Sequence, residues 1–122
     1  MKFAIDIDGV ITANPQALAW ITYHLSKNEN GHEIHIISWR DGSDPKRVQE
    51  TIDDLKNFGI RYNSLTLAPK RLTNLRQSAL WKIATIHGLG INVWIDDEIK
   101  SYKRDLGIDV DRLLPDVVKI QI

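Results

Sequence analysis

The chain has no cysteine, which excludes structural disulfides and thiolate-bound metal sites. No apolar run approaches the roughly 18 residues needed to span a bilayer. The N-terminus enters a strand-like segment directly, without a basic region and a long apolar stretch, so we expect no signal peptide and a cytoplasmic protein. Net charge is also missing. Sixteen Lys and Arg offset sixteen Asp and Glu, which argues against tight nonspecific binding to nucleic acid. What remains is ordinary for a globular protein: 43% hydrophobic and 26% charged residues in a chain of 122. That length implies one domain over residues 1–122, with a core that needs no staples.

The charge is not spread evenly. Residues 40–82 carry nine Lys and Arg against five acids, while residues 1–39 and 83–122 each carry a net charge of −2. A basic middle between acidic ends suits an anionic substrate held beside a cation-binding acidic cluster. The plainer reading of the same pattern is a set of solvated helix faces.

The first dozen residues hold the clearest chemistry. Phe3, Ala4 and Ile5 form a short apolar strand that runs into Asp6-Ile7-Asp8-Gly9. Two carboxylates two residues apart at a strand end could hold a divalent cation, or divide nucleophile and acid/base duties. Adjacent acids in an apolar setting are unfavourable unless a cation or a reaction needs them.

Further along, strand-like and helix-like apolar patterns alternate. Strands are predicted at about residues 2–7, 34–38, 65–67, 91–95 and 117–122. Asn14-Pro15 and Asp44-Pro45 read as helix caps followed by proline at the first helical position. The first helix is expected to fade through residues 27–31. The second carries the stripe Val48, Ile52, Leu55, Phe58 and stops at Gly59. Thr73 or Asn74 caps a third helix, with Leu75, Ala79, Leu80, Ile83 and Ile86 on its apolar face and its end at Gly88. A short helix runs to about Leu106 before Gly107. This alternation predicts an α/β domain, a three-layer sandwich with a mostly parallel sheet. Ligands of such sheets lie beyond the carboxyl ends of the strands. There the chain places Asp6 and Asp8, then Ser38 and Arg40, then Lys70 and Arg71, then Asp96 and Asp97.

The order of these parts resembles the haloacid-dehalogenase-like (HAD) phosphohydrolases. AIDIDGVIT (residues 4–12) matches the family's first motif, an apolar strand followed by DxDG. IHIIS (residues 34–38) matches the second, a strand ending in Ser or Thr, and VWIDDE (residues 93–98) the fourth, a strand ending in paired acids. The resemblance implies a Rossmann-like, HAD-like fold and a Mg²⁺-dependent phosphatase. Asp6 would be the nucleophile, forming an aspartyl-phosphate. Asp8 would protonate the leaving oxygen and then activate water. Ser38 would hydrogen-bond a phosphoryl oxygen. Asp96, with or without Asp97, would hold Mg²⁺ together with Asp6 and the backbone carbonyl of Asp8. Oxygen-only ligands suit a hard cation, which would neutralise repulsion between phosphate and carboxylate. The dehalogenase branch lacks the second Asp of the motif, so Asp8 favours phosphate substrates.

The family's third motif is a Lys or Arg that balances charge, and here the match departs. Lys82 lies about eight residues into the third helix, roughly 12 Å along its axis, and is expected to sit too deep. Lys70 in the preceding loop and Arg76 in the first turn are the expected phosphate-binding bases, with no choice between them. The stretch from Ser38 onward is similar to polynucleotide 3′-phosphatase domains and small phage and bacterial relatives, on Ser38-Trp39-Arg40, FGIRYNSL (residues 58–65) and Leu80-Trp81-Lys82. That similarity implies Arg40 as a phosphate contact, where a planar fork suits it. Trp39 replaces the usual small residue. The intervals between strands leave room for only a flap and one helix, so the chain is expected to be capless. An open site admits a phosphorylated small molecule or a nucleic acid end.

Trp20 and Trp81 are expected to pack, Trp94 to lie in the core, and Trp39 to have the best claim to substrate. The four histidines show no ligand spacing. Two other readings compete. One is a catalytically weak phosphate- or metal-binding module that keeps the fold. The other is a phosphoacceptor receiver, disfavoured because the acid pair follows the fourth strand rather than the first.

Overall fold

The computed structural model describes residues 1–27, 29 and 31–122. The fading of the first helix expected through Asn28 and Asn30 lies outside the described residues. The strands are β1 (Lys2–Ile5), β2 (Glu33–Asp41), β3 (Ser64–Ala68), β4 (Val93–Asp96) and β5 (Val118–Gln121). The helices are α1 (Pro15–Ser26), α2 (Pro45–Asn57), α3 (Leu75–Leu89), α4 (Ile99–Leu106) and α5 (Val110–Leu113). A wide turn over Ile7–Ile11 follows β1.

All strand pairings are parallel, in the order β3-β2-β1-β4-β5. Helices cover both faces, a Rossmann-like arrangement. On one face Ala4, Ile37 and Trp94 pack against Ala79, Ile83 and Ile86 of α3 and Tyr102 of α4. On the other, Ile5, Ile34 and Ile36 pack against Leu18 of α1 and Leu55 of α2. Each fully buried side chain of this size contributes about 1.5–3 kcal/mol relative to leaving it in water.

Local signals explain most element ends. The Asp44 carboxylate accepts the Lys46 N–H at 3.0 Å and starts α2. The Asn74 side-chain Oδ1 accepts the Gln77 N–H at 2.9 Å and starts α3. Asn14 precedes α1, but its side chain makes no cap bond. The expected stop at Gly88 is one turn-end too early. α3 runs through it to Leu89 and stops at Gly90, whose φ of +67° is the left-handed conformation a helix end favours in glycine. Trp20 is 65% exposed rather than packed, whereas Trp94 is 1% exposed. No helix among the described residues is long and apolar enough to cross a membrane.

The sheet order has a functional consequence. The chain winds from β1 outward through β2 to β3, then returns to pair β4 on the opposite side of β1. The crevice between the ends of β1 and β4 is therefore the point where the winding reverses, the usual ligand position in such sheets.

Candidate active site at the carboxyl edge of the sheet

Ile5 pairs with Ile95, so Asp6 and Asp96 follow in the same row on adjacent strands. Side chains alternate along a strand. Ile5 and Ile95 face α1, and Ala4 and Trp94 face α3. Asp6 and Asp96 accordingly face α3, and both are buried.

The base that meets them is Lys82, in the position judged too deep. Its ammonium donates to Asp6 Oδ1 at 3.2 Å and to Asp96 Oδ2 at 2.9 Å. Lys82 belongs to the buried stripe Ser78, Ala79, Lys82, Ile83, Ile86. A lysine at that spacing on a core-facing stripe was the available signal. Axial rise alone misplaced it, because helical side chains lean toward the helix N-terminus and lysine has a four-carbon stem. Arg76 instead donates from Nη2 to the Leu106 carbonyl at 3.1 Å, and Lys70 is exposed in its loop. Neither is brought to the carboxylates by a hydrogen bond or ion pair in the structure.

Asp96 is closely tethered. Oδ2 also accepts the Trp94 indole N–H at 3.1 Å, and Oδ1 accepts the Glu98 N–H at 3.0 Å. Tyr102 stacks on Trp94 with ring centroids 6.0 Å apart. Asp97 differs: its Oδ1 is buried and has no hydrogen-bond partner among the described residues. Its Oδ2 lies 1.9 Å from where a Cβ on Gly9 would stand, so any side chain at position 9 must displace the carboxylate. Asp6, Asp96 and Asp97 each offer a ligand oxygen, all within 4.8 Å of one another.

The electrostatics follow from two buried carboxylates, Asp6 and Asp96, facing one ammonium, with Asp97 beside them. Burial pushes the Asp6 carboxyl up to about 7, with Lys82 opposing and Asp96 adding to the rise. Burial, then the Asp96 charge, also pushes Asp97 upward. Burial works against the Lys82 ammonium, but Asp96 and Asp6 outweigh it and hold Lys82 above the ordinary lysine value.

Asp8 does not join this cluster through its side chain. Its carboxylate turns to β2, where Arg40 donates from Nε to Oδ2 at 3.0 Å and from Nη2 to Oδ1 at 2.7 Å. Those hydrogen bonds hold the Asp8 carboxyl below the usual range, against the opposing effect of burial. Arg40 is aimed there by a bulge: the β2–β3 register passes from Ser38↔Leu67 to Asp41↔Ala68. Ser38 is fully buried at the same tip, and its hydroxyl accepts the Arg40 N–H at 3.2 Å. Asp8, Trp39, Arg40 and Arg47 line a shallow pocket of about 250 Å³. Sequence reasoning thus located Asp6, Asp8, Ser38, Arg40, Asp96 and Asp97 at one edge. It set Lys82 aside as too deep, and it gave no site role to Trp94, Gly9 or the α2 residues behind Arg40.

No protein-family model, no curated protein and no solved structure matches this chain.

Proposed function

We propose that the chain is a phosphomonoester hydrolase of the HAD type, capless and dependent on a divalent cation, with Mg²⁺ the expected ion. The observation that carries this reading is the buried Asp6 carboxylate at the β1–β4 switch point, 3.2 Å from the Lys82 ammonium and clustered with Asp96 and Asp97. Two features suit the cluster to a hard cation. All its ligand atoms are carboxylate oxygens, and Asp97 Oδ1 is buried without a partner among the described residues. A bound cation would be held by Asp6, Asp96 and Asp97 and would neutralise repulsion between a phosphate and the nucleophile.

In the first half-reaction Asp6 attacks phosphorus and the bond from phosphorus to the leaving oxygen breaks. Asp8, when protonated, supplies the proton that the leaving oxygen requires. In the second, water attacks the same phosphorus, the bond to Asp6 breaks, and Asp8 takes the water proton. Lys82, in place of Lys70 or Arg76, balances charge on Asp6. The open pocket beside Trp39 and Arg47 is compatible with a phosphorylated small molecule or a nucleotide or nucleic acid 3′-phosphate.

Substitution Asp6→Asn tests the assignment with 4-nitrophenyl phosphate and Mg²⁺. The expected result is a loss of at least about a thousandfold in turnover with an unchanged circular dichroism spectrum. Retained turnover would remove Asp6 as the nucleophile. The second reading is a phosphate- or metal-binding module without catalysis, favoured by the engagement of both Asp8 oxygens with Arg40. Inactivity on nucleotides, sugar phosphates and 3′-phosphorylated oligonucleotides alike would support it.

A further inference from the structure

Arg40 is 8% exposed although it lies at a strand tip. Its guanidinium has five N–H groups, and four hydrogen bonds already engage them. Nε and Nη2 take the two oxygens of Asp8. Nη1 donates to Asp54 Oδ2 at 2.9 Å and to Thr51 Oγ1 at 3.3 Å, both on α2. Thr51 is itself fixed, its hydroxyl donating to the Arg47 carbonyl at 2.8 Å. The guanidinium is therefore clamped from behind by α2 and presents one planar fork forward. That fork is spent on Asp8 and leaves little for a substrate phosphate.

Asp8 is placed differently. Two of its roughly four acceptor positions meet Arg40. Its side chain is 46% exposed, so the remaining positions open on solvent and on the pocket with Trp39 and Arg47. A carboxylate that accepts a bidentate fork is fixed in one orientation. That fixed orientation suits a group that must meet a water at a set place.

We infer that Arg40 is a positioning residue that holds Asp8 ready to accept the water proton in the second half-reaction, and that Asp54 and Thr51 hold Arg40 in turn. This role rests on the phosphatase reading above. The balance is simple: water oxygen bonds to phosphorus, the bond from phosphorus to Asp6 breaks, Asp6 leaves as a carboxylate, and the proton passes to Asp8. That proton then serves the next leaving alcohol or returns to solvent.

The test separates the two half-reactions. Nitrophenolate leaves without a proton, so the first half-reaction with 4-nitrophenyl phosphate does not need Asp8. Arg40→Lys keeps the charge but loses the fork, and Asp54→Asn loosens the clamp. Each is expected to lower kcat and KM together by about tenfold or more, with kcat/KM within about twofold of the starting protein. A burst of nitrophenolate in the first turnover accompanies the change, because breakdown of the aspartyl-phosphate limits the rate. A raised KM at unchanged kcat would overturn the role and make Arg40 a phosphate ligand. Equal falls in kcat and kcat/KM without a burst would reduce Arg40 to a structural residue. Thr51→Val removes the two hydrogen bonds of a neutral hydroxyl, one from Arg40 Nη1 and one to the Arg47 carbonyl, and carries the same test, with a smaller shift, if the charged variants fail to fold. Absence of turnover in the unsubstituted, Mg²⁺-loaded chain would remove the phosphatase reading and this role with it.

Discussion

The Lys82 ammonium lies 3.2 Å from the Asp6 carboxylate although 76 positions separate the two residues. The same ammonium bonds Asp96 at 2.9 Å, so α3, β1 and β4 meet at one buried charge. Both carboxylates are almost fully enclosed. In such a site the ammonium stabilises mainly by preventing two desolvated acids from facing each other alone.

Replacing Lys82 with Met, which is similar in length, leaves Asp6 and Asp96 buried without a counter-charge. The expected loss is about 3–5 kcal/mol in urea denaturation of the cation-free protein. A divalent cation recovers part of it by binding only the folded state. A loss below about 1 kcal/mol would mean that water or rearrangement already screens the two acids.

The strand tips were legible because the sheet places them by simple rules. Apolar strands ending in Asp6 and Asp96 had to share an edge once the sheet was parallel, and period-two alternation turns both toward α3. Side-chain reach was not legible. The height of the Lys82 Cα on the helix points away from the site, whereas its place on the buried α3 stripe brings the ammonium to it. The Asp8–Arg40 pair depends on the bulge between Ser38 and Asp41, which no local pattern announces. α5 was not foreseen because four residues, Val110–Leu113, carry too little periodicity to register. The exposure of Trp20 is not legible in the sequence, because helical spacing alone does not say which aromatic faces the core.

Stability of the cation-free protein should fall as pH rises from about 4 toward 7. The Asp6 carboxyl is raised from 3.8 to about 7, so across that window the folded state holds a proton the unfolded chain has released. Its contribution is complete below the unfolded value and gone above the folded one. Asp8 acts in the opposite sense: its carboxyl is lowered, so its contribution is present above the ordinary value and is lost on acidification below it. Urea midpoints measured in EDTA at pH 5 and pH 7.5 check the Asp6 effect against Asp6→Asn, which should lose most of the decline. An identical decline in the variant would assign it to other groups. Added Mg²⁺ should flatten the curve of the unsubstituted protein, since a cation favours ionised Asp6.

Gly9 and Asp97 should behave as one unit toward a cation. Gly9 has a φ of +83°, a conformation that costs an L-residue about 1–2 kcal/mol. A methyl group there would also stand 1.9 Å from Asp97 Oδ2, so Gly9→Ala must displace the carboxylate as well as strain the turn. Asp97→Asn keeps the shape and removes a charge that burial and Asp96 already oppose. In cation-free buffer it should leave the urea midpoint unchanged or slightly raised, while Gly9→Ala lowers it. In calorimetric titration with Mg²⁺ or Mn²⁺ both variants should bind about tenfold or more weakly than the starting protein. Opposite signs in stability with the same sign in affinity would identify displacement of Asp97, rather than general loosening, as the cause. Unchanged affinity in Asp97→Asn would leave Asp6 and Asp96 to hold the cation and would make the unpartnered Asp97 oxygen irrelevant to it.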